Sequence, residues 1–212
     1  MTVPRALAWL VIAPIVLAGG ESRRMGTPKA LLPDGAGRLF VTRVLHTLSA
    51  AGFHSVTLVT GRLHGDIVRV VSQDAPRGMA VTLARNPDPT RGQLSSLLIG
   101  LEAAAKPGTQ AALVTLVDVP FVLVETVEAV VRAYESSRAP IVRPARGTTH
   151  GHPVMFDASL FPELRRVDPA YGAKAVVHAH EAEILNVDTA DDGAFIDVDT
   201  REDYQRTVIG RS

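Results

Sequence analysis

The sequence contains no cysteine. That excludes disulfides, thiolate metal sites and cysteine nucleophiles together, and it is compatible with a reducing compartment. There is no excess charge of either sign, since 22 Lys and Arg balance 22 Asp and Glu. The lack of a global positive field argues against a nucleic-acid binder that works by neutralising phosphates, and leaves room for a local cationic loop. No internal repeat or low-complexity linker is evident, and no side chain stands out as a nucleophile. The apolar run 6–17 after Arg5 is too short to span a bilayer. Neither a nucleic-acid nor a membrane partner is expected, and the expected location is cytoplasmic. What the chain does have is apolar material for a sizeable core, 46% of 212 residues, in a length that suits one domain over 1–212.

The run near the N-terminus has the look of a signal-peptide core. It reads instead as a leader, 1–11, running into a buried first strand over 11–18, because cleavage after Ala18 would remove the strand that anchors the following glycine loop. Pro14 lacks a ladder donor, so the paired part of that strand is expected to begin at Ile15. Beyond it the pattern alternates. Val41, Val44, Leu45 and Leu48 share a helical face that stops at Gly52. "SVTLVTG" is a strand, "HGDIVRVVS" a helix, "AVTLAR" a strand and "LSSLLIGLEAAA" a helix. "AALVTLVDVP" is a continuous apolar run of the kind a central parallel strand requires. Val127, Val130, Val131 and Tyr134 then mark another helix. Strands alternating with helices of this length mean βαβ units and a mostly parallel sheet. After Ser136 two short apolar runs around a Gly/Thr/His turn predict an antiparallel excursion. Helices over 159–167 and 173–182, a late strand "FIDVDT" and a last helix from Arg201 complete the expectation.

At the carboxyl end of the first strand stands "LAGGESRRMGTPKALL", residues 17–32. In open α/β sheets ligands bind outside the carboxyl ends of strands. Gly19 and Gly20 let backbone approach a ligand closely, and N–H groups in such a loop form an anion nest. Arg23, Arg24 and Lys29 add cations suited to a phosphate chain, although a solvated basic turn would read the same way. The loop is neither a Rossmann fingerprint nor a Walker loop, because it lacks G-x-G-x-x-G and Lys29 follows Pro28 rather than a glycine.

This loop resembles the signature of the MobA-like nucleotidyltransferases, whose members attach a nucleoside monophosphate to molybdopterin. The likeness continues in "ARNPDPTRGQLSSLLIGL" (84–101), "LVDVPFV" (116–122), "GHPVMF" (151–156) and "DVDTREDY" (197–204), so five blocks in order span nearly the whole chain. The resemblance implies a three-layer α/β/α sandwich with a Rossmann-like sheet, as in nucleotide-diphospho-sugar transferases. It also implies a Mg²⁺-dependent attack of an acceptor phosphate on the α-phosphorus of a nucleoside triphosphate, with pyrophosphate leaving. By the same likeness Arg24, Lys29 and Asp118 would be catalytic. Leu17, Ala18, Gly19, Gly20, Ser22, Arg23, Gly26, Lys29, Asn86, Ser95 and Ser96 would bind the nucleotide. Gly151, His152 and Pro153 would face the acceptor, and Asp118 and Asp199 would hold Mg²⁺, an ion that prefers oxygen.

Several assignments keep a structural counterpart. Asp118 could cap the helix after Pro120, and Asp197 or Asp199, expected on one strand face, could cap the last helix. Ser95 and Ser96 could simply start their helix, and Asn86 with Pro87 could only form a turn. The pairs His150/His152 and His178/His180 offer a zinc site, which the turn at Gly151 and the helical pattern around His178 disfavour. "LAGG" leans to the guanylyl branch of the family, whereas "GTPKALL", "QLSSLLIGL", "DVPFV" and "GHPVMF" look more like the cytidylyl branch, and the balance of blocks favours CTP over GTP. Sugar-phosphate transfer, or a non-catalytic role as a nucleotide-binding, cofactor-delivery partner of a molybdenum enzyme, stands as the alternative. Intact Lys29 and Asp118 argue against a pure carrier.

Overall fold

The structure is a computed structural model of the chain that describes residues 11–20 and 25–208. The expectations placed on the leader before Val11, and on Ser22, Arg23 and Arg24, lie outside the described residues. Among the described residues an eight-stranded mixed sheet runs in the order β3-β2-β1-β4-β7-β5-β6, with β8 pairing β5. The strands are β1 (Val11–Ala18), β2 (Ser55–Thr60), β3 (Ala80–Arg85), β4 (Thr109–Leu116), β5 (Ile141–Arg146), β6 (Thr149–His150), β7 (Val154–Asp157) and β8 (Ile184–Asp188). The first four are parallel neighbours, and β7 is inserted antiparallel beside β4. That insertion is the expected antiparallel excursion.

Helices α1 (Phe40–Ala50), α2 (His64–Asp74), α4 (Val124–Ser137) and α7 (Arg201–Val208) pack on one face of the sheet around Phe40, Leu45, Ile67, Val130 and Tyr134. Helices α3 (Gln93–Ala104), α5 (Phe161–Arg166) and α6 (Ala173–Ala179) pack on the other, around Leu97, Leu101, Phe161 and Leu164. Two apolar cores on opposite faces of one sheet make the three layers. The alternation of short β-branched runs with helical 3–4 spacing produces this arrangement, because each helix buries one stripe and each central strand buries both faces. Helix α3 lies so close to β1 that a Cβ on Gly100 would sit 2.6 Å from the Ile15 side chain.

Two expectations are corrected. The ladder of β1 does begin at Ile15 toward β2, but toward β4 it runs from Val11 through Pro14. The Leu17 carbonyl accepts from Val117 N on the β4 side. With a strand period of two, Pro14 therefore points its missing donor toward β2, before that ladder starts. The second correction is the late strand. "FIDVDT" forms no strand: 192–195 is a 3-10 turn and the following residues are irregular. The strand beside β5 is β8, "ILNVD", whose strand signal is weak because it is short, half exposed and interrupted by Asn186. Asp197 and Asp199 therefore share no strand face.

Candidate active site

Strands β1 and β4 are adjacent, with β2 and β3 on one side and β7 and β5 on the other. This reversal of strand order is the switch point at which a doubly wound sheet opens a crevice beyond its carboxyl ends. A cavity of about 400 Å³ lies there, lined by Leu17, Ala18, Gly19, Gly20, Lys29, Thr90, Gln93, Ser96 and Asp118. Backbones crowd at its floor: a Cβ on Gly61, at the end of β2, would lie 2.6 Å from the Gly19 carbonyl oxygen. Of the residues expected at the nucleotide, Gly26, Asn86 and Ser95 do not line this cavity.

Lys29 begins a one-turn 3-10 segment after Pro28, whose buried Ala30 fixes the turn against the core. Its Nζ donates to Asp118 Oδ2 at 2.9 Å and to Asp199 Oδ1. Burial pulls the ammonium's pKa down, but the Asp118 charge and hydrogen bonds to both carboxylates outweigh it, and the net shift is upward. Asp118 stands two residues beyond β4, held by Val117 N donating to Leu17 O and by its own carbonyl accepting from Val198 N at 2.8 Å. That last bond also brings in Asp199, which lies 81 residues further along the chain. Asp197, in the same segment, has its carboxyl pKa raised by burial first and then by the charges of Asp118 and Asp199.

The capping alternatives resolve geometrically. The last helix is capped reciprocally by Thr200 and Asp203, with Thr200 N donating to Asp203 Oδ2 and Asp203 N to Thr200 Oγ1. At the start of α4 the acceptor is Asp191, whose Oδ2 accepts from Leu123 N and Thr126 Oγ1. Neither Asp118 nor Asp199 is spent on a cap. Two oxygen-donor carboxylates converging on one cationic atom form a set that fits Mg²⁺ or Mn²⁺. No group of three or more His, Asp or Glu that could hold an ion occurs among the described residues. An ion here would therefore complete its shell with phosphate oxygens and water.

Asn86 is buried and its polar atoms are engaged within the chain. Its Nδ2 donates to Ser95 Oγ and Ser96 Oγ, both at 2.9 Å, and its Oδ1 accepts from Asp88 N. It fastens the first turn of α3 to the end of β3, which is the turn-forming alternative, and Ser96 alone of that trio reaches the cavity wall.

A second cavity of about 240 Å³ adjoins the first, with Leu17, Gln93 and Leu116 lining both. Gly151 and His152 line it, together with Arg143, His150 and Lys174 among apolar residues of α3, α6 and the sheet. Gly151 must be glycine, since a Cβ would lie 2.3 Å from the Ala194 carbonyl oxygen. His152 N donates to that same oxygen, while its ring Nδ1 is buried without a partner among the described residues. Burial pushes the His152 pKa down, against the Val114 carbonyl and the Asp118 charge. Pro153 departs from the expectation: it lines a small cavity on the α1 and α4 side, beside Val119 and Pro120. The zinc alternative finds no support in the geometry, because both ring nitrogens of His180 are taken by Glu163 and Glu183.

Comparison with known proteins now bears on this arrangement. The model of the MobA-like NTP transferase domain matches residues 14–184. The chain belongs to that family. It is 33% identical over 176 residues, 81% of each chain, to a protein of Mycobacterium tuberculosis named probable molybdenum cofactor guanylyltransferase. It resembles the crystal structure of Rv0371c from the same organism with TM-score 0.75 and 28% identity, over 94% of this chain and 98% of that one. A structure of Rv0371c in complex with manganese aligns with TM-score 0.72 at 26% identity, again over 94% and 98%. A nucleotidyl transferase from Methanothermobacter, at 23% identity, TM-score 0.76 and coverage of 94% and 97%, shares the fold. The chain is thus a MobA-like nucleotidyltransferase with the nucleotide-diphospho-sugar transferase fold.

Sequence reasoning missed two supports of the site. One is Asp191, whose only sequence signal is its place in the run "TADDG". The other is the ion pair of buried Asp34 with Arg43 at 2.9 Å, whose Nε donates to Pro120 O two residues beyond Asp118. No helix among the described residues is long and apolar enough to cross a membrane.

Proposed function

We propose that this protein transfers a nucleoside monophosphate from a nucleoside triphosphate to the phosphate of a molybdopterin-type acceptor. The observation that carries the reading is the convergence of Asp118 and Asp199 on Lys29, with Lys29 and Asp118 in the wall of the switch-point cavity. The triphosphate lies along Leu17–Gly20 and over Lys29. The acceptor occupies the adjoining cavity at Gly151 and His152. An acceptor phosphate oxygen bonds to the α-phosphorus while the bond to the β-phosphate oxygen breaks, and pyrophosphate departs.

Such a transfer demands in-line placement and charge neutralisation rather than a covalent enzyme intermediate. Lys29 supplies a fixed positive charge to the phosphates. Asp118 and Asp199 would hold a divalent ion, Mg²⁺ in this reading, and its charge would offset that developing on the phosphates. The oxygen-only donor pair and the manganese complex of Rv0371c support a divalent ion here.

GTP is the donor supported by the name of the Mycobacterium tuberculosis relative and by the "LAGG" of the loop. CTP is a second reading, favoured by the four later blocks of cytidylyl character. Calorimetry with GTP, CTP, ATP and UTP in Mg²⁺ distinguishes the two, because one nucleotide should bind selectively. Pyrophosphate release on adding molybdopterin tests the transfer. Asp118→Ala is expected to abolish that release while keeping the wild-type far-ultraviolet dichroism, and near-normal turnover in the variant would refute the metal assignment.

A further inference from the structure

If donor and acceptor occupy the two adjoining cavities, the attacking phosphate has to cross the wall between them. Three side chains line both cavities: Leu17, Gln93 and Leu116. Two are aliphatic and give an anion nothing. Gln93 is the third, and it is exposed, with no hydrogen bond from its carboxamide to any described residue.

Gln93 is also held in place. It is the first residue of α3. The next two residues but one, Ser95 and Ser96, are clamped by the Asn86 amide, and Asn86 N is bonded to Thr60 O at 2.7 Å. Gly100 lets α3 sit close against β1, since a Cβ there would lie 2.6 Å from the Ile15 side chain. A carboxamide on so fixed a base is a neutral donor and acceptor, able to bond a phosphate oxygen without competing for the charges at Lys29 and Asp118.

We infer that Gln93 is the residue that receives the acceptor phosphate at the boundary of the two cavities and orients it for in-line attack. The inference rests on the transfer proposed above. Because Gln93 lines the donor cavity as well, its part in acceptor use is read at saturating nucleotide.

The position permits a test in which stability and activity move in opposite directions. Glu at the first residue of a helix is favourable to the helix dipole, so Gln93→Glu should melt at or above the wild-type temperature. The same carboxylate repels the incoming phosphate, and kcat/KM for molybdopterin should fall on the order of 100-fold, as expected when a bond to an anion is replaced by repulsion. Gln93→Leu, which keeps the bulk but not the polar atoms, should lose about 10-fold in kcat/KM for molybdopterin, measured at a nucleotide concentration that saturates each variant. The assay is pyrophosphate release with purified molybdopterin, with calorimetry for the nucleotide and thermal melting on the same samples. Wild-type turnover with both variants unchanged overturns the role of Gln93 alone. A wild type that binds nucleotide but releases no pyrophosphate with molybdopterin overturns the acceptor reading and this inference with it. Loss of activity that tracks a lower melting temperature in both variants would make Gln93 a structural residue only.

Discussion

Replacing Lys29 with Met isolates the charge that holds the two carboxylates together. The Lys29 side chain is 13% exposed, against 23% for Asp118 and 33% for Asp199. At the 2.9 Å separation from Asp118, an effective dielectric of about 20 gives a gross attraction of about 6 kcal/mol for one pair. Desolvation of the ammonium cancels much of it, and the partly exposed carboxylates screen more. Breaking a fully buried pair costs about 3–5 kcal/mol, so this half-buried bridge should cost about 2–3 kcal/mol. For a chain of this size that is a fall in Tm of about 5–10 °C. Lys29→Met should also slow transfer by about 10²–10³-fold, the usual loss when one fixed stabilising charge is removed from the reacting group.

The distinguishing result is the response to Mg²⁺. In the variant the ammonium no longer competes for the two carboxylates, so a divalent ion should raise the variant's Tm more than the wild type's. Because the Lys29 pKa is raised above its ordinary 10.5, the bridge's contribution is fully present below that value. It is lost only as pH rises through the higher folded-state value. The Tm gap between wild type and variant should therefore be flat across neutral pH. A variant that melts with the wild type and gains no more from Mg²⁺ would refute the argument that Lys29 compensates this pair.

Two further outcomes follow from the surrounding structure. Asn86→Ala removes the clamp on Ser95 and Ser96 and leaves their hydroxyls short of a partner; urea titration should show a loss of about 2–3 kcal/mol, and no loss would mean that the clamp is dispensable. His180, between Glu163 and Glu183, has its pKa raised by those two hydrogen bonds. Its contribution is therefore complete below its ordinary 6.5 and disappears as pH rises through the raised value. His180→Gln should lower stability by on the order of 1 kcal/mol at pH 5.5 and have little effect at pH 8.5, as read from chemical denaturation at the two pH values.

Local patterning along the chain is enough to mark the layers and the place of the loop. Period-two and 3–4 spacing of apolar residues are local properties, and they suffice to mark β1 to β4, α1, α3 and α4 and the end of the strand where Gly19 and Gly20 stand. The resemblance carried by five short blocks likewise named Lys29, Asp118 and Asp199. It was the tertiary structure that brought these three together, because the bond from Val198 N to the Asp118 carbonyl joins parts of the chain that no local pattern relates. The same is true of the late strand. β8 belongs to the sheet because β5 offers an edge to "ILNVD", whereas "FIDVDT", more strand-like in composition, is drawn off to the carboxyl end of β4. Which residues share a wall between two cavities, and so the place of Gln93, was likewise decided only when α3 was packed against β1. Propensity acts over a few residues, but a site is made of contacts between distant ones, and only the folded chain selects among those.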